Sequence, residues 1–302
     1  VGSIAYDAVR TPSGSRERML GGSAVHFALA AAFFDEVRVV GPVGDDFAER
    51  DMALLQGRGV DTSDIERMPG NTFFWAGEYG WDLNDRATLD TQLGVFADFD
   101  PKLSRAAREA DCLFLGNIQP DLQRKVRALC TARFTALDSM NLWIDTARDA
   151  LVQAIGSVDC VILNDAEIRM LTGEPNLPRA AKQLIGMGPS VVVAKQGEYG
   201  AALFGADGFF ALPALPLEEV RDPTGAGDSF AGGFLGYLDS LGQAPDGPEL
   251  RRAMAHGTVM ASFNVEDFGT ERISRLEPDE IERRLGELKA VTDFDHLSLR
   301  TR

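Results

Sequence analysis

Residues 222–233 read Asp-Pro-Thr-Gly-Ala-Gly-Asp-Ser-Phe-Ala-Gly-Gly, and this stretch decides the fold class more than any other. The small residues Gly225, Ala226 and Gly227 are followed at once by the carboxylate of Asp228, and an apolar helix pattern comes next. Small residues let backbone N–H groups face an anion, and a helix N-terminus adds partial positive charge. The stretch therefore predicts a phosphate site beside a carboxylate that takes a proton from an attacking hydroxyl group.

The same stretch also has a simpler, structural interpretation. An Asp close to a helix start is most often an N-cap, and glycine-rich turns are common. The longer string is more specific, because Asp222, Thr224 and the run 225–228 all match one signature. In these positions the sequence resembles the C-terminal signature of the ribokinase-like (PfkB) carbohydrate kinase family.

This resemblance implies both a fold and a reaction. The fold is α/β: a ribokinase-like three-layer α/β/α domain with a mostly parallel central sheet and a small β-sheet lid. The reaction is the ATP-dependent transfer of the γ-phosphoryl group to an alcohol group of a sugar or sugar-like substrate, with Mg²⁺ as cofactor. We expect one domain over residues 1–302, with the lid formed by about 5–20 and 70–98.

Composition narrows the class of protein independently of any motif. The 302 residues are 45% hydrophobic, which is enough for one large domain with a substantial core. The formal net charge of −16 disfavours nucleic acid and membrane surfaces as partners, and no apolar run approaches the ~20 residues that span a bilayer. The three cysteines lack metal-site spacing, which predicts neither zinc nor disulfides and suggests a cytoplasmic protein. The opening residues 1–5 resemble a first strand rather than a signal peptide.

Strand-like and helix-like segments alternate along the chain, which favours a parallel sheet covered by helices on both faces. The predicted strands are 37–43, 111–115, 134–137, 158–163 and 191–194. The predicted helices include about 46–58 and 120–129, and a Pro/Gly-rich loop at 242–248 separates two C-terminal helices.

Two segments, 5–20 and 71–97, break this alternation. The second reads as a hairpin with a turn at 81–85. Its strands carry apolar residues at even spacing, namely Phe73, Trp75 and Tyr79 going out and Leu89, Leu93 and Val95 returning. The structural alternative is an ordinary edge hairpin of the main sheet. The family resemblance implies a lid over the sugar, and such lids often pair, which predicts a homodimer through this sheet.

Five positions are candidates for substrate binding. Gly21 and Gly22 allow a ligand to lie against the backbone, although tight helix packing also explains them. By resemblance they contact sugar hydroxyl groups, and Asp7 accepts hydrogen bonds from two of them unless it is only a solvated turn residue. His26 stands where the family usually has Asn, and it either bonds the substrate or is a packed histidine. Asn117 ends a predicted strand and is a further candidate.

The pair Asn164 and Glu167 follows a predicted apolar strand. Residues three apart on a first helical turn share one face, and their oxygens suit Mg²⁺. The same spacing is typical of a capping box, in which each side chain bonds the other residue's backbone. By resemblance the pair matches the family's Asn-x-x-Glu motif, which organises magnesium and phosphate, and both interpretations can hold together.

The nucleotide site is predicted mainly by resemblance. Lys195, Gly197 and Gly200 match the family's nucleotide loop, with Lys in place of the common Thr, although the pattern alone is a weak turn signal. Asn264 lies in a small-residue helix that lines the adenine pocket in the family, and plain helix packing is the alternative. Thr224 and the Asp two residues before it match positions that bind a monovalent cation such as K⁺ in several members.

These assignments predict a mechanism and leave two rivals open. Asp228 accepts the proton of the attacking hydroxyl group as a modest base stabilised by the helix N-terminus, and the amides of 225–227 form the anion hole. The first rival is a nucleoside kinase that acts on adenosine-like substrates. The second is a non-catalytic sugar- or nucleotide-binding regulator, which the intact Gly-Ala-Gly-Asp disfavours. No G-x-G-x-x-G follows the first strand, which disfavours a dinucleotide-dependent dehydrogenase.

Overall fold

The computed structural model describes residues 1–84 and 86–293. Its strands are β1 (Ala5–Thr11), β2 (Gly14–Gly21), β3 (Val37–Val43), β4 (Val60–Arg67), β5 (Phe73–Tyr79), β6 (Arg86–Gln92), β7 (Cys112–Leu115), β8 (Phe134–Leu137), β9 (Cys160–Asn164), β10 (Val191–Lys195), β11 (Ala201–Gly205) and β12 (Gly208–Leu212). Its helices are α1 (Ser23–Ala31), α2 (Glu49–Gly57), α3 (Arg105–Arg108), α4 (Pro120–Leu129), α5 (Asn141–Thr146), α6 (Arg148–Ile155), α7 (Asp165–Thr172), α8 (Leu177–Ile185), α9 (Ala226–Ser240), α10 (Gly247–Asn264), α11 (Glu271–Ser274) and α12 (Pro278–Thr292).

The main sheet has the order β12-β11-β10-β9-β8-β7, with β7 to β10 parallel and the last two strands antiparallel. The parallel pair β3-β4 continues it, because Val1 and Gly2 bond to both sides. The Gly2 amide donates to the Val40 carbonyl at 3.3 Å, and the Gly116 amide donates to the Val1 carbonyl at 2.8 Å. This architecture confirms the predicted α/β class.

Helices cover both faces of the main sheet, as β9 illustrates. Val161 and Leu163 pack into one hydrophobic core, whereas Cys160 and Ile162 pack into another on the opposite face. Successive residues of a strand point to opposite faces, so a strand covered on both sides reads as a continuous apolar run. This explains why the run at 158–163 was recognisable from the sequence.

A second sheet has the order β2-β1-β5-β6, with β1 and β5 parallel and the outer pairs antiparallel. We call it the small sheet. It joins the two segments that break the alternation, and every residue of β6 is exposed. The predicted return strand was too long, because it stops at Gln92. Leu93 lies outside the strand, and Val95 turns inward as a core residue of a short 3₁₀ helix, Gly94–Asp98.

Most boundaries agree with prediction to within about two residues. The strands 37–43 and 134–137 and the helix 120–129 are confirmed. The Pro/Gly-rich loop is shorter than predicted, because Asp246 and Glu249 form a capping box that starts α10 at Gly247. The predicted first strand was too early, since β1 begins only at Ala5.

Two further expectations concern the whole chain. The cysteines, all within the described residues, are free. Among the helices described, none is both long and apolar enough to cross a bilayer. Of the predicted domain 1–302 and its lid, residues 294–302 and residue 85 lie outside the described residues.

Candidate active site

The loop before α9 owes its shape to Gly225, which is the N-cap residue of this helix and has a φ of 77°. A side chain would be strained there, and a Cβ atom would lie 2.3 Å from Nδ1 of His26. Asp228 is therefore not the cap but the third residue of α9, in its first turn. The carboxylate of Asp228 therefore lies at the positive end of the helix dipole.

The carboxamide of Asn264 holds this loop through hydrogen bonds to Thr224 and Ser229. Its Nδ2 donates to the Thr224 carbonyl at 2.7 Å, and its Oδ1 accepts from the Ser229 hydroxyl at 2.9 Å. The same Oδ1 lies 3.0 Å from Nδ1 of His26, which accordingly carries the ring proton. Asn264 is fully buried and does not line the neighbouring cavity, so its predicted contact with adenine is not supported. It positions the loop instead.

Asp222 holds the start of the loop through backbone hydrogen bonds. Its carboxylate accepts the Thr224 amide at 2.9 Å and the Gly269 amide at 3.0 Å. The side chain is fully buried, and burial raises its pKa although both amides oppose this shift. The Thr224 hydroxyl donates to the hydroxyl of Tyr79 at 3.2 Å, which ties the loop to the small sheet.

Two of the three predicted anion-hole amides remain available. Within the described part of the chain, the amides of Gly225 and Gly227 have no acceptor. The Ala226 amide donates to the Pro223 carbonyl at 3.2 Å and closes the turn. The three-amide cradle expected from the sequence is therefore reduced to the two glycine amides.

The carboxyl group of Asp228 is a stronger base than its helix position suggested. Burial raises its pKa to about 7, and the charge of Asp138 acts in the same direction. The cations of Lys195 and Arg86 lower it, but they do not outweigh burial. Burial therefore opposes the stabilisation by the helix N-terminus on which the prediction of a modest base rests.

Lys195 is a cation of the site whose side chain is 18% exposed. Its Nζ donates to Oδ2 of Asp138 at 2.9 Å, and a Cβ atom at Gly227 would lie 2.8 Å from this Nζ. Burial alone would lower the lysine pKa, yet the carboxylates of Asp138 and Glu167 raise it, so the ammonium stays charged. Asp138 directly follows Leu137, the last residue of the parallel strand β8.

The pair Asn164 and Glu167 forms the capping box that was the structural alternative. Asn164 Oδ1 accepts the Glu167 amide at 2.7 Å, and Glu167 Oε2 accepts the Asn164 amide at 2.9 Å. Burial raises the pKa of Glu167 to about 7, while Lys195 lowers it and Asp138 raises it.

Carboxylate oxygens are what Mg²⁺ takes as ligands, so the donor set of this region fits the cofactor. In the described residues, however, no three acidic, His or Cys side chains converge as a ready-made cation site. Mg²⁺ is therefore expected to take most of its ligands from phosphate and water. Glu167 keeps one carboxylate oxygen outside the capping box, and its pKa responds to the charge of Asp138.

The predicted substrate residues Asp7 and Gly21 are in contact. A Cβ atom at Gly21 would lie 1.9 Å from Oδ2 of Asp7, so only glycine admits the carboxyl group. Gly22 has a φ of 94°, which also favours glycine. Burial raises the pKa of Asp7 to about 7, and the charges of Asp222 and Asp228 raise it further. A backbone hydrogen bond from Gly22 lowers it. Asp7 and Asp228 therefore face the same region.

His26 and Asn117 are further from a simple assignment. His26 is buried and its Nε2 has no partner in the described part of the chain. Burial lowers its pKa to about 4, so the ring is neutral at pH 7. The Asn117 carboxamide oxygen already accepts the indole N–H of Trp143 at 2.9 Å, which leaves its NH₂ group for a ligand.

A cavity of about 400 Å³ adjoins the loop on the side of β10. Its walls include Lys195, Gly197, Gly200 and Gly227, whereas Thr224 does not line it. Gly200 has a φ of 101°, and a Cβ atom there would lie 2.0 Å from the Leu212 carbonyl, so this glycine is also structural. The structure thus brings the predicted nucleotide loop and catalytic loop to one cavity.

Two residues of this region were missed in the sequence. Arg86 on β6 influences the carboxyl groups of Asp7, Glu167 and Asp228, and Tyr79 on β5 contacts Thr224. Tyr79 was recognised only as an apolar member of the hairpin. No local pattern distinguishes Arg86 from the other exposed arginines of the small sheet.

Fold and site together define a class: an α/β protein in which a glycine-rich helix start, the carboxyl group of Asp228 and a cavity of about 400 Å³ lie together. Comparison with known proteins agrees. The family model described as pfkB family carbohydrate kinase matches residues 1–276, and the chain belongs to this family. It is therefore a kinase that phosphorylates an alcohol group of a sugar or sugar-like substrate, and enzymes of this family use ATP and typically Mg²⁺.

Individual relatives carry different substrate names. A cytidine kinase from Thermococcus kodakarensis is 31% identical over 246 residues, which cover 78% of this chain and 87% of the relative. A 2-dehydro-3-deoxygluconokinase from Thermoproteus tenax is 28% identical, with 74% of this chain and 75% of the relative covered. Among solved structures, the nucleoside kinase of Burkholderia thailandensis in complex with inosine has a TM-score of 0.78 at 20% identity, covering 96% of this chain and 97% of that one. This last likeness supports the fold.

The raised pKa of Asp228 predicts a pH-dependent stability. An aspartate titrates at about 3.9 in an unfolded chain, so between about 4 and 7 the folded state holds a proton that the unfolded state has lost. Stability therefore falls as pH rises through this window. We expect Asp228→Asn to raise the Tm above pH 7, with the gain disappearing towards pH 4.

Thermal unfolding of the ligand-free protein at several pH values measures this effect. Asp121→Asn, on the exposed surface of α4, is the matched control and should leave the Tm difference flat across the range. A lower Tm for Asp228→Asn at pH 8 would contradict the assignment of a destabilising buried charge.

Proposed function

We propose that the protein transfers the γ-phosphoryl group of ATP to an alcohol group of a sugar or sugar-like molecule, with Asp228 as the general base. The observation that carries this proposal is that Lys195 and Gly227 line the cavity of about 400 Å³ side by side, with Asp228 next to Gly227 in the chain and under the influence of the Lys195 charge. A pKa near 7 suits proton removal at neutral pH.

The reaction is an in-line displacement. The acceptor oxygen bonds to the γ-phosphorus, the bond from this phosphorus to the β–γ bridging oxygen breaks, and ADP leaves. The acceptor proton passes to the Asp228 carboxylate. The amides of Gly225 and Gly227 and the Lys195 ammonium face the negative charge of the transferred group, which is the main source of catalysis in such reactions.

The acceptor lies on the side of the small sheet. Asp7 accepts hydrogen bonds from substrate hydroxyl groups, the backbone of Gly21 and Gly22 lies against the sugar, and His26 and Asn117 complete this side. The small sheet acts as a lid that excludes water, which would otherwise hydrolyse ATP. Its support is the contact of Tyr79 with Thr224, which connects sheet and loop.

The nucleotide binds in the cavity formed with Lys195, Gly197 and Gly200. Glu167, fixed by Asn164 through the capping box, would hold Mg²⁺, which when bound would neutralise phosphate charge. A monovalent cation such as K⁺ is proposed near Asp222 and Thr224, and initial rates in KCl against choline chloride test it.

A nucleoside kinase is the second candidate. The cytidine kinase of Thermococcus kodakarensis shares 31% identity across 87% of its own length, which favours a nucleoside as the sugar-like acceptor. ADP release measured over pentoses, hexoses, acidic sugars, phosphosugars and nucleosides separates the two. A non-catalytic regulator is disfavoured, because simple binding needs no base of pKa about 7.

The base assignment predicts a defect confined to turnover. Asp228→Asn keeps the size of the side chain but cannot accept the proton, so kcat should fall about 10²–10⁴-fold while ATP affinity stays close to wild type. Steady-state kinetics and ATP titration measure both quantities, with Asp121→Asn as control. Turnover within threefold of wild type would remove Asp228 from this role.

The metal assignment predicts a changed magnesium requirement. Glu167→Gln retains an oxygen for the capping box but loses the charge, so half-maximal activity should need several-fold more Mg²⁺. Glu249→Gln makes the same change in the capping box of α10, away from the site, and should not alter the titration. Identical curves for the two variants would exclude Glu167 as the magnesium residue.

The open small sheet supports a homodimer. Leu89 on β6 is 56% exposed and Leu93 is 49% exposed, which places apolar surface on a sheet edge region that a second copy would cover. We expect Leu89→Asp to convert a dimer to a monomer in sedimentation velocity. Leu129→Asp on α4, where the leucine is 44% exposed, is the control. A monomeric wild type at all concentrations would contradict this proposal.

A further inference from the structure

Arg86 is an exposed residue of the small sheet that lies close to the active site in the strand pairing. It begins β6 and is paired across the strands with Tyr79 of β5. Tyr79 is only 9% exposed and receives the hydrogen bond from Thr224 at 3.2 Å. Because Thr224 directly precedes the Gly225–Gly227 loop, this pairing fixes the backbone of Arg86 beside the catalytic loop.

The turn that precedes Arg86 makes a second, independent contact with the site. Asp82, Leu83 and Asn84 line the cavity of about 400 Å³ that contains Lys195 and Gly227. A Cβ atom at Gly197 would lie 3.1 Å from Oδ1 of Asn84, so the turn touches the nucleotide loop. Arg86 is thus held between two anchored points, one on the catalytic loop and one on the nucleotide loop.

The charge of Arg86 is felt at both halves of the site. Its guanidinium lowers the pKa of Asp7 on the acceptor side, of Glu167 on the metal side and of Asp228 between them. These carboxyl groups come from three different elements. This agrees with the strand pairing that places Arg86 beside Tyr79 and thereby beside the loop.

The guanidinium contacts an aromatic ring of the same sheet. Its carbon lies 5.2 Å from the centroid of the Trp75 ring, a cation–π distance that holds the side chain without pairing it to an acid. By contrast, Lys195 is already paired with Asp138. The protein has a formal net charge of −16, which repels ATP. A second cation beside the transferred group would reduce this repulsion.

We propose that Arg86 binds the equatorial oxygens of the γ-phosphoryl group during transfer, opposite Lys195, and so supplies from the small sheet the charge that the two glycine amides leave unmatched. The proposal rests on the proposed function of Asp228. The bond changes are unchanged: acceptor oxygen to phosphorus forms, phosphorus to bridging oxygen breaks, and the proton goes to Asp228. Arg86 remains protonated throughout.

The kinetic test compares arginines of the same sheet. Arg86→Ala should lower kcat about 10²–10³-fold with KM for ATP changed less than threefold, and Arg86→Lys should recover part of the loss. Arg10→Ala is the matched control, since Arg10 of β1 is 65% exposed and lies 3.9 Å from Glu78. Millimolar guanidinium chloride should partly restore the Arg86→Ala rate, whereas urea at the same concentration should not.

A binding test gives a readout other than turnover. With acceptor and Mg²⁺ present, wild type should bind ADP with aluminium fluoride, a mimic of the transferring group, much more tightly than ADP alone. By calorimetry, Arg86→Ala should lose at least tenfold of this additional affinity and keep its affinity for ADP. Arg10→Ala should keep both.

Several results would overturn the proposal. Unchanged kcat and unchanged aluminium fluoride affinity in Arg86→Ala would exclude the contact in an otherwise active kinase. A defect restricted to the KM of acidic or phosphorylated acceptors would mean that Arg86 binds the substrate instead. A loss of Tm without guanidinium rescue would make the residue structural. A wild type with no turnover on any acceptor would overturn the proposed function itself, and this inference with it.

Discussion

Four carboxyl groups lie in one largely buried region of an already acidic chain, namely those of Asp7, Asp138, Glu167 and Asp228. The other groups of the site offset this negative charge. Removing a carboxylate from water is unfavourable, which is why three of them have pKa values near 7. Lys195 offsets part of the charge through its bond to Asp138. In the proposed function, a phosphoryl group and its metal ion would bind beside these carboxyl groups.

Positioning of the loop depends on a second buried group, the carboxamide of Asn264. It joins the end of α10 to the start of α9 through Ser229 and Thr224, and to α1 through His26. A buried amide with three partners has one satisfied geometry, so it fixes the loop more sharply than packing would. The helix that follows the Gly21-Gly22 motif, α1, and the helix that carries Asp228, α9, are therefore held against each other by polar contacts.

The small sheet is tied to the catalytic loop through one of its inner strands and is exposed to solvent along one of its outer strands. Its inner strand β5 is tied to the loop by Tyr79, whereas the outer strand β6 is exposed throughout. In the proposed function, the inner strands of the small sheet position side chains at the active site, and the exposed strand β6 offers a surface to a second copy of the chain. Its two outer pairs are antiparallel and its central pair parallel, which brings residues 5–11 and 73–79 side by side although they are far apart in sequence.

The sequence by itself determined the fold class and the reaction class, because their signals are local. A strand buried on both faces reads as a continuous apolar run, and the conformation of the catalytic loop requires glycine at 225 whatever surrounds it. The capping box at Asn164 and Glu167 was equally readable, since its two bonds span three residues. Only the tertiary structure decided which polar groups meet. Lys195 and Asp138 are 57 positions apart, and His26 and Asn264 are 238 apart. No local pattern encodes these pairs. The pKa of Asp228 belongs to the same category, because burial and distant charges set it rather than its place on the helix.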